Sequence, residues 1–186
     1  MMTYLYTTRA KFDKNNQGEG LTWSKYLEWS RLNHLTELVS VDTGLNEVLI
    51  DPDQEDDNYW TEMIFEEGRE TGFFRTTEYV LRKTDIPKFN LLAIVIQPGS
   101  DCSLIQQDDY DFLGYDLLDH YYTTSALSNC GGFDETFLPG DLNNVGLIDD
   151  YEKAYTIQRK LRENNPLEEH ADTYVIAIWR HRVIGW

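Results

Sequence analysis

The most uniform hydrophobic pattern in the chain lies near its centre. From Phe89 to Gln97 almost every residue is apolar, and Pro98 and Gly99 end the run. An apolar segment of this length that ends in turn residues is typical of a strand buried on both faces of a sheet. Residues 173–182 have the same character, and residues 3–9, rich in Tyr and Thr, also favour a strand. The pattern therefore predicts three strands, two of them buried within the sheet.

Helical periodicity dominates two other segments. In residues 24–39 and 150–164 the apolar positions recur at spacings close to three and four, as on one face of an α-helix. These helices do not alternate regularly with the predicted strands. The sequence therefore predicts an α+β fold with a mainly antiparallel sheet and two principal helices. A chain of 186 residues is long enough for one core, so we expect a single domain spanning 1–186.

The remaining patterns are shorter. They predict a hairpin, a short helix, one element that fits either a strand or a short helix, and two further strands. Periodicity is weak over segments of this length, so their types rest on turn residues and on β-propensity. The hairpin spans residues 38–50, the short helix 58–67, the element of either type 73–82, and the two strands 112–120 and 121–127.

The charge of the chain is its most unusual property. Sixteen basic and 33 acidic residues give a formal net charge of −17, which argues against nucleic acid or an anionic membrane as a partner. Residues 89–152 contain twelve carboxylates and no Lys or Arg, whereas residues 153–186 hold six basic residues against four acidic ones. The negative charge in the middle of the chain therefore has no local counterpart, and only the C-terminal part can offset some of it.

Targeting and cofactor motifs are missing from the sequence. The first residues lack the basic and apolar regions of a secretion signal, and no run of eighteen apolar residues occurs. We therefore expect a cytoplasmic protein in which Cys102 and Cys130 are free thiols. The chain contains no phosphate-binding loop, zinc-ligand pattern or hydrolase nucleophile motif. The sequence accordingly predicts no cofactor and no metal, and it favours a binding protein over an enzyme.

Residues 112–133 contain the best candidates for catalysis. Two glycines follow Cys130 and could bind an oxyanion, and Asp116 and His120 lie on one face of the predicted strand. A thiol nucleophile or a carboxylate–histidine pair is therefore one alternative function. The surrounding carboxylates disfavour a thiolate, however, and glycines after a strand commonly turn the chain. We interpret the segment as structural and assign no catalytic residue.

A second alternative is calcium binding by residues 51–62. The first, third, fifth, seventh and twelfth positions of an EF-hand loop are occupied by Asp51, Asp53, Glu55, Asp57 and Glu62. Asp56 stands at the sixth position, where such loops need glycine for a sharp turn, and the preceding segment favours a strand over a helix. We therefore favour an acidic loop in solvent.

A protein interface is the function that the residue pattern favours most. Tyr and Trp anchor many interfaces, and several of them lie among carboxylates in this chain. An acidic surface with exposed aromatic side chains would attract a basic protein partner and hold it after docking. We predict that the partner-binding surface consists of Asp56, Asp57, Tyr59, Trp60, Asp108, Asp109, Tyr110, Asp111 and Asp116.

Two segments, FLGYDLLD (112–119) and SALSNCGG (125–132), carry a family resemblance. In an acidic, aromatic-rich chain without a catalytic motif, they resemble segments of the immunity proteins that bacteria encode beside secreted toxins. The resemblance implies a cytoplasmic protein that neutralises a basic toxin, for example one that cleaves nucleic acid, by covering its active site. Immunity proteins have many unrelated folds, so the resemblance implies neither an architecture nor specific functional residues.

Overall fold

The protein combines one large antiparallel sheet with a few helices. The computed structural model describes residues 3–45, 58–66, 68–84, 89–105, 108–128, 136–164 and 166–182. Within these residues the strands are β1 (Leu5–Ala10), β2 (Phe12–Asp13), β3 (Glu37–Leu38), β4 (Met63–Glu66), β5 (Arg69–Phe74), β6 (Phe89–Ile96), β7 (Tyr110–Asp119) and β8 (Thr173–His181). The α-helices are α1 (Trp23–Ser30), α2 (Tyr59–Glu62), α3 (Thr77–Lys83) and α4 (Tyr151–Asn164). None of these helices is both long and apolar enough to span a bilayer.

Six strands form the large sheet in the order β4-β5-β1-β6-β8-β7, and every neighbouring pair is antiparallel. The predicted α+β class with a mainly antiparallel sheet is confirmed. The two strands predicted to be buried, β6 and β8, lie side by side, with Leu92 opposite Arg180. All residues of β6 from Phe89 to Val95 are buried. Burial on both faces explains why this part of the sequence is continuously apolar.

Apolar side chains cover both faces of the sheet, which we call the helical face and the loop face. On the helical face, α1, α3 and α4 pack against the sheet, and the core there includes Tyr26, Tyr79, Ile157, Leu91 and Trp179. On the loop face, irregular segments cover the sheet, and the core includes Val41, Tyr122, Leu147, Leu92 and Ile178. Each face is thus closed by a different kind of structure.

The two principal helices are present, but one is shorter than predicted. α4 is capped by Asp150, whose carboxylate accepts a hydrogen bond from the Lys153 N–H at 2.8 Å. α1 is capped in the same way by the Thr22 hydroxyl. It ends at Ser30, because the next residue, Arg31, has a left-handed φ of 62°. The predicted extension of this helix to residue 39 is therefore wrong.

The leucines that suggested a longer helix are buried without being helical. Leu32, Leu35 and Leu38 all join the core of the helical face, but they lie in turns and in the short strand β3. The next residue, Val39, donates its N–H to the carbonyl of Val145 at 2.9 Å. Residues 39–42 are not part of a strand, so the first half of the predicted hairpin is not formed. The other half of that hairpin, residues 46–50, lies outside the described residues.

The shorter predictions have mixed outcomes. Residues 73–82 hold both elements that fitted the pattern, the end of β5 and the helix α3, and residues 112–120 lie almost wholly in β7. The helix predicted over 58–67 is present as α2, but β4 replaces its second half. The strand predicted over 121–127 is wrong, because this segment turns and forms an isolated bridge with β7 at Ser125.

Both edge strands of the sheet are protected from pairing with other chains. At one edge, β7 is covered because Tyr115 and Ile148 exchange two backbone hydrogen bonds of 2.8 and 3.0 Å. Further along β7, the carbonyl of Leu117 accepts the N–H of Ala126 at 2.8 Å. At the other edge, β4 is only four residues long. Short or covered edges are a common defence against aggregation.

Candidate functional site

The residues predicted to bind a partner lie at opposite edges of the sheet. Tyr59 and Trp60 belong to α2, which leads into β4, whereas Asp108 and Asp109 lead into β7. Four strands stand between these two edge strands. At ~4.8 Å per strand, the two edges are roughly 24 Å apart. The structure therefore does not bring these two groups together, and Asp56 and Asp57 lie outside the described residues.

Three of the predicted partner-binding residues are buried. Asp116 is completely buried, and Tyr59 and Tyr110 are almost completely so. The sequence favoured an exposed position for Asp116 because polar and apolar residues alternate around it, as on an edge strand with one solvent-exposed face. In the fold, the loops at 40–42 and 125–128 cover this part of β7 instead. These three side chains are therefore not part of the exposed surface.

A cluster of exposed carboxylates marks the beginning of β7. Asp108, Asp109 and Asp111 are all exposed, and Glu78 at the start of α3 is exposed as well. Burial, followed by smaller contributions that include the charges of Glu78 and Asp109, raises the pKa of Tyr110 to about 12. Glu78 and Asp109 therefore both act electrostatically on the Tyr110 hydroxyl. We call Asp108, Asp109, Asp111 and Glu78 the acidic corner.

Arg182 is the cation that faces the acidic corner. Its Nε lies 2.8 Å from Asp111 Oδ1, and its Nη2 donates to the carbonyl of Tyr110 at 3.1 Å. Its backbone N–H donates to the carbonyl of Asp109 at 2.7 Å, which fixes a turn in which Asp109 has a left-handed φ of 63°. The ion pair with Asp111, helped by the charges of Asp109 and Asp108, raises the pKa of Arg182. Within the described residues, Asp108 and Asp109 form no ion pair of their own.

Trp60 provides an exposed aromatic surface at the opposite edge. It is 52% exposed, and its ring stacks on Phe65 of β4 with centroids 5.5 Å apart and planes 13° from parallel. Beside it, Tyr59 donates a hydrogen bond of 2.7 Å to a carboxylate oxygen of Glu70. An exposed indole next to a carboxylate suits contact with an aliphatic or cationic side chain. We call Trp60 and Phe65 the Trp60 edge.

The most extensive polar cluster is internal, and Asp116 is its centre. Its Oδ1 accepts hydrogen bonds from the Ser125 hydroxyl at 2.5 Å and from the Leu117 N–H at 2.8 Å. Its Oδ2 accepts one from the Ser40 hydroxyl at 2.7 Å, and the Val41 N–H lies 3.4 Å away. Four donors therefore surround this one buried carboxylate, and they come from two loops and from β7 itself.

Asp42 forms the second half of the same cluster. Its carboxylate accepts hydrogen bonds from the N–H groups of Gly44, Leu45 and Ser125 and from the hydroxyl of Ser128. Burial, and to a smaller extent the charge of Asp42, raises the pKa of Asp116, although the hydrogen bonds of Asp116 act in the opposite direction. We call Ser40, Asp42, Asp116, Ser125 and Ser128 the aspartate–serine network. Because its carboxylate oxygens are all occupied, the network serves to hold the loops on the sheet.

The catalytic pair considered from the sequence does not form. Where the chain is described, the oxygens of Asp116 accept hydrogen bonds from hydroxyl and backbone donors, and His120 is not among them. His120 instead packs beside Tyr121, with ring centroids 3.6 Å apart. An imidazole without a carboxylate partner lacks the group that would orient it as a general base.

The thiol and calcium alternatives fall largely on residues that are not described. Cys130 and residues 51–57 are outside the described ranges. The other cysteine, Cys102, is buried, and burial together with the charge of Asp101 raises its pKa to about 12. Across the part of the chain that is described, no three His, Cys, Asp or Glu side chains are placed to hold a metal ion.

The aspartate–serine network was not predicted from the sequence, although a signal for it exists. The segments SVD (40–42) and SALS (125–128) place small polar residues between apolar ones. Such residues are compact enough to be buried when they bond to one another. What the sequence does not show is that both segments meet at Asp116.

Comparisons of the chain with protein-family models, with curated proteins and with solved structures found no match. The acidic corner, the Trp60 edge and the aspartate–serine network are therefore the features from which a function can be inferred.

Proposed function

We propose that this protein is a binding protein of the inhibitory or immunity type that recognises a basic protein partner through its acidic corner. The observation that carries the proposal is the exposure of Asp108, Asp109 and Asp111 within four residues, with the charge of exposed Glu78 acting on the neighbouring Tyr110. Among the described residues, three of these carboxylates, Asp108, Asp109 and Asp111, act on one guanidinium, that of Arg182. This end of the sheet is therefore a local source of negative potential.

The overall charge extends the reach of that local source. With a formal net charge of −17, the protein attracts any basic partner during diffusion, and the corner determines where the partner docks. Salt at physiological strength screens exposed charges beyond ~8 Å. Docking is therefore controlled by carboxylates that stand close together, as in the corner, more than by those distributed over the rest of the surface.

The ion pair inside the corner does not block this role. The side chains of Arg182 and Asp111 are 49% and 61% exposed, so their attraction is strongly screened by water. A guanidinium or ammonium group of a partner can therefore replace Arg182 at little cost. The Trp60 edge lies too far away to belong to the same small contact, and the proposal does not depend on it.

The test removes charge from the corner and measures the rate of association. The double variant Asp108→Asn/Asp109→Asn keeps the shape of both side chains, and Asn tolerates the left-handed backbone of Asp109. Association is followed by biolayer interferometry with a set of purified basic proteins that includes toxin nuclease domains. For a specific partner, we expect the association rate of the wild type to fall at least about tenfold between ~50 and ~500 mM salt.

A matched variant controls for the loss of overall charge. Glu163→Gln/Glu168→Gln removes two exposed carboxylates near the carboxyl end of α4. This end of α4 is close to the beginning of β8, whereas the acidic corner is close to the end of β8. We expect the corner variant to slow association about threefold to tenfold and the control to slow it much less. Equal effects of the two variants, or association that does not change with salt, would remove the basis of the proposal.

A further inference from the structure

A buried arginine on the loop face has no hydrogen-bond partner for its guanidinium among the described residues. Arg9 lies near the end of β1, opposite Asn90 of β6, and its side chain is completely buried. Within the described residues, none of its three guanidinium nitrogens has a hydrogen-bond partner. The ring of Phe73 lies 5.9 Å from Cζ, which is at the limit of a cation–π interaction. A guanidinium has five N–H donors, and here all of them remain unused.

Two neighbours of Arg9 share this property. Thr7 lies two residues earlier on the same strand, so both side chains point to the same face of the sheet. Asn90 is the direct cross-strand neighbour of Arg9, at a distance where side chains touch. In the described chain, Thr7 Oγ1 and Asn90 Oδ1 are also buried and without hydrogen-bond partners. Three adjacent polar side chains on one face thus have unused bonding capacity.

The guanidinium of Arg9 stays charged in this position. Burial lowers its pKa from 12.5 to about 10, and the charge of Asp42 opposes this shift. A group with this pKa is protonated at neutral pH. Asp42 does not pair with it, because the Asp42 carboxylate already accepts four hydrogen bonds from other donors. A buried ion whose donors have no acceptor is strongly unfavourable, so the position favours binding of an anionic group.

We propose that Arg9, Thr7 and Asn90 form a buried binding site for an oxyanion, either a phosphate or a carboxylate. The planar guanidinium binds two oxygens of such a group at once, and the Thr7 hydroxyl donates to a third position. Asn90 Oδ1 accepts a hydrogen bond from the oxyanion when that group carries a proton, as hydrogenphosphate does. This site is separate from the acidic corner and does not depend on the proposed partner.

The high negative charge of the protein does not exclude an anion from this position. Exposed carboxylates act through water and salt, which screen them beyond about 8 Å. Arg9 acts on its immediate surroundings, where the sheet and the loops exclude water and the dielectric constant is low. A bound oxyanion therefore experiences the nearby cation more strongly than the more distant surface charges.

The test measures stabilisation of the whole chain by defined anions. Wild-type protein is refolded and then unfolded by heat in increasing concentrations of sodium phosphate, sodium acetate or sodium chloride at equal ionic strength. We expect a saturable rise in Tm with phosphate, acetate or both, and no such rise with chloride. A response to phosphate alone identifies a tetrahedral oxyanion, whereas a response to acetate identifies a carboxylate. If neither anion exceeds chloride, the site is already satisfied within the protein and the proposal is overturned.

Variants assign the response to this site. Thr7→Val removes one donor without changing the shape of the side chain, and we expect it to weaken the apparent affinity about tenfold. Thr173→Val is the matched control, because in the described chain Thr173 is also a buried threonine with an unpartnered hydroxyl, at the other end of the sheet. Arg9→Met should abolish the response, and if it fails to fold, the two threonine variants decide. An equal response in wild type and Thr7→Val would overturn the assignment.

Discussion

Truncation of Asp116 tests whether the aspartate–serine network holds the loop face together. The carboxylate is completely buried and accepts hydrogen bonds from the hydroxyls of Ser40 and Ser125 and from the Leu117 N–H. Asp116→Ala removes these acceptors and leaves the donors facing a small cavity. The loops at 40–45 and 125–128 then lose the group that joins both of them to β7.

The loss in the free energy of unfolding depends on how many of these donors have no other acceptor. The two serine hydroxyls can rotate, and Ser40 Oγ already accepts from the Asp42 N–H at 3.1 Å. The Leu117 N–H cannot rotate, and a buried donor without a partner costs about 1–3 kcal/mol. With a smaller loss from the hydroxyls and the cavity, we expect Asp116→Ala to lower the free energy of unfolding by about 3 kcal/mol.

Asp116→Asn keeps a hydrogen-bond acceptor at this position but removes the negative charge. The amide oxygen can still accept from Leu117 and Ser125, while the NH₂ group faces Ser40 and the more distant Val41 N–H. We expect a loss of about 1 kcal/mol at neutral pH, because one donor–donor contact replaces a hydrogen bond.

Burial raises the pKa of Asp116 above its ordinary value of 3.8. The folded state therefore holds this proton more tightly than the unfolded state, and the wild type loses stability as pH rises from about 3.8 through the raised pKa. The difference in the free energy of unfolding between the wild type and Asp116→Asn should therefore decrease from pH 3 to pH 7.

Urea unfolding followed by tryptophan fluorescence measures these differences, and the slope m shows whether the folded state has changed. Asp111→Ala is the matched control, because it removes an exposed carboxylate from the same strand and should cost less than about 1 kcal/mol. A loss below about 0.5 kcal/mol for Asp116→Ala would show that the network does not hold the loops. Equal losses for the Ala and Asn variants would show that the charge matters and the acceptor does not.

Two further predictions concern a glycine within the same strand and a cysteine in the core of the helical face. Gly114→Ala should destabilise the protein by about 2–4 kcal/mol in urea unfolding, because the residue has a φ of +140° and an added Cβ would lie 2.8 Å from Leu147 Cβ. Gly18→Ala, with open space around the added Cβ, is its control and should change stability little. Cys102, with its pKa raised to about 12 by burial and by Asp101, should resist a thiol reagent at neutral pH in the folded protein. Peptide mapping by mass spectrometry should find it labelled only after denaturation, and labelling in native conditions would contradict its burial.

The elements that the sequence predicts well are those whose burial is uniform along the segment. β6 and β8 are buried on both faces and α4 on one face, so their patterns depend only on local geometry. In residues 24–39, the hydrophobic spacing does not predict the backbone conformation correctly. The leucines after Ser30 have helical spacing because they all enter one core, yet the left-handed backbone at Arg31 redirects the chain. A hydrophobic period reports which residues are buried, and it does not report the backbone path that buries them.

The candidate site was less predictable because it depends on contacts between distant segments. The burial of Asp116 results from Ser40, which is 76 residues away, and from Ser125. No local pattern in 112–120 contains that information. Likewise, the sequence alone does not show that Tyr59 and Asp108 are at opposite edges of the sheet, since strand order is a property of the whole chain.

The fold removes some carboxylates of the acidic segment 89–152 from the surface that a partner can contact. Among its twelve carboxylates, Asp116 and Asp119 are buried and hydrogen-bonded within the protein. Two more, Asp111 and Asp141, face cations from the C-terminal part of the chain at 2.8 and 2.7 Å. A count of charges along the chain therefore overstates the surface that a partner meets. Since short-range contacts decide docking, recognition at the acidic corner should depend on very few side chains, and the double variant of Asp108 and Asp109 should be enough to reveal it.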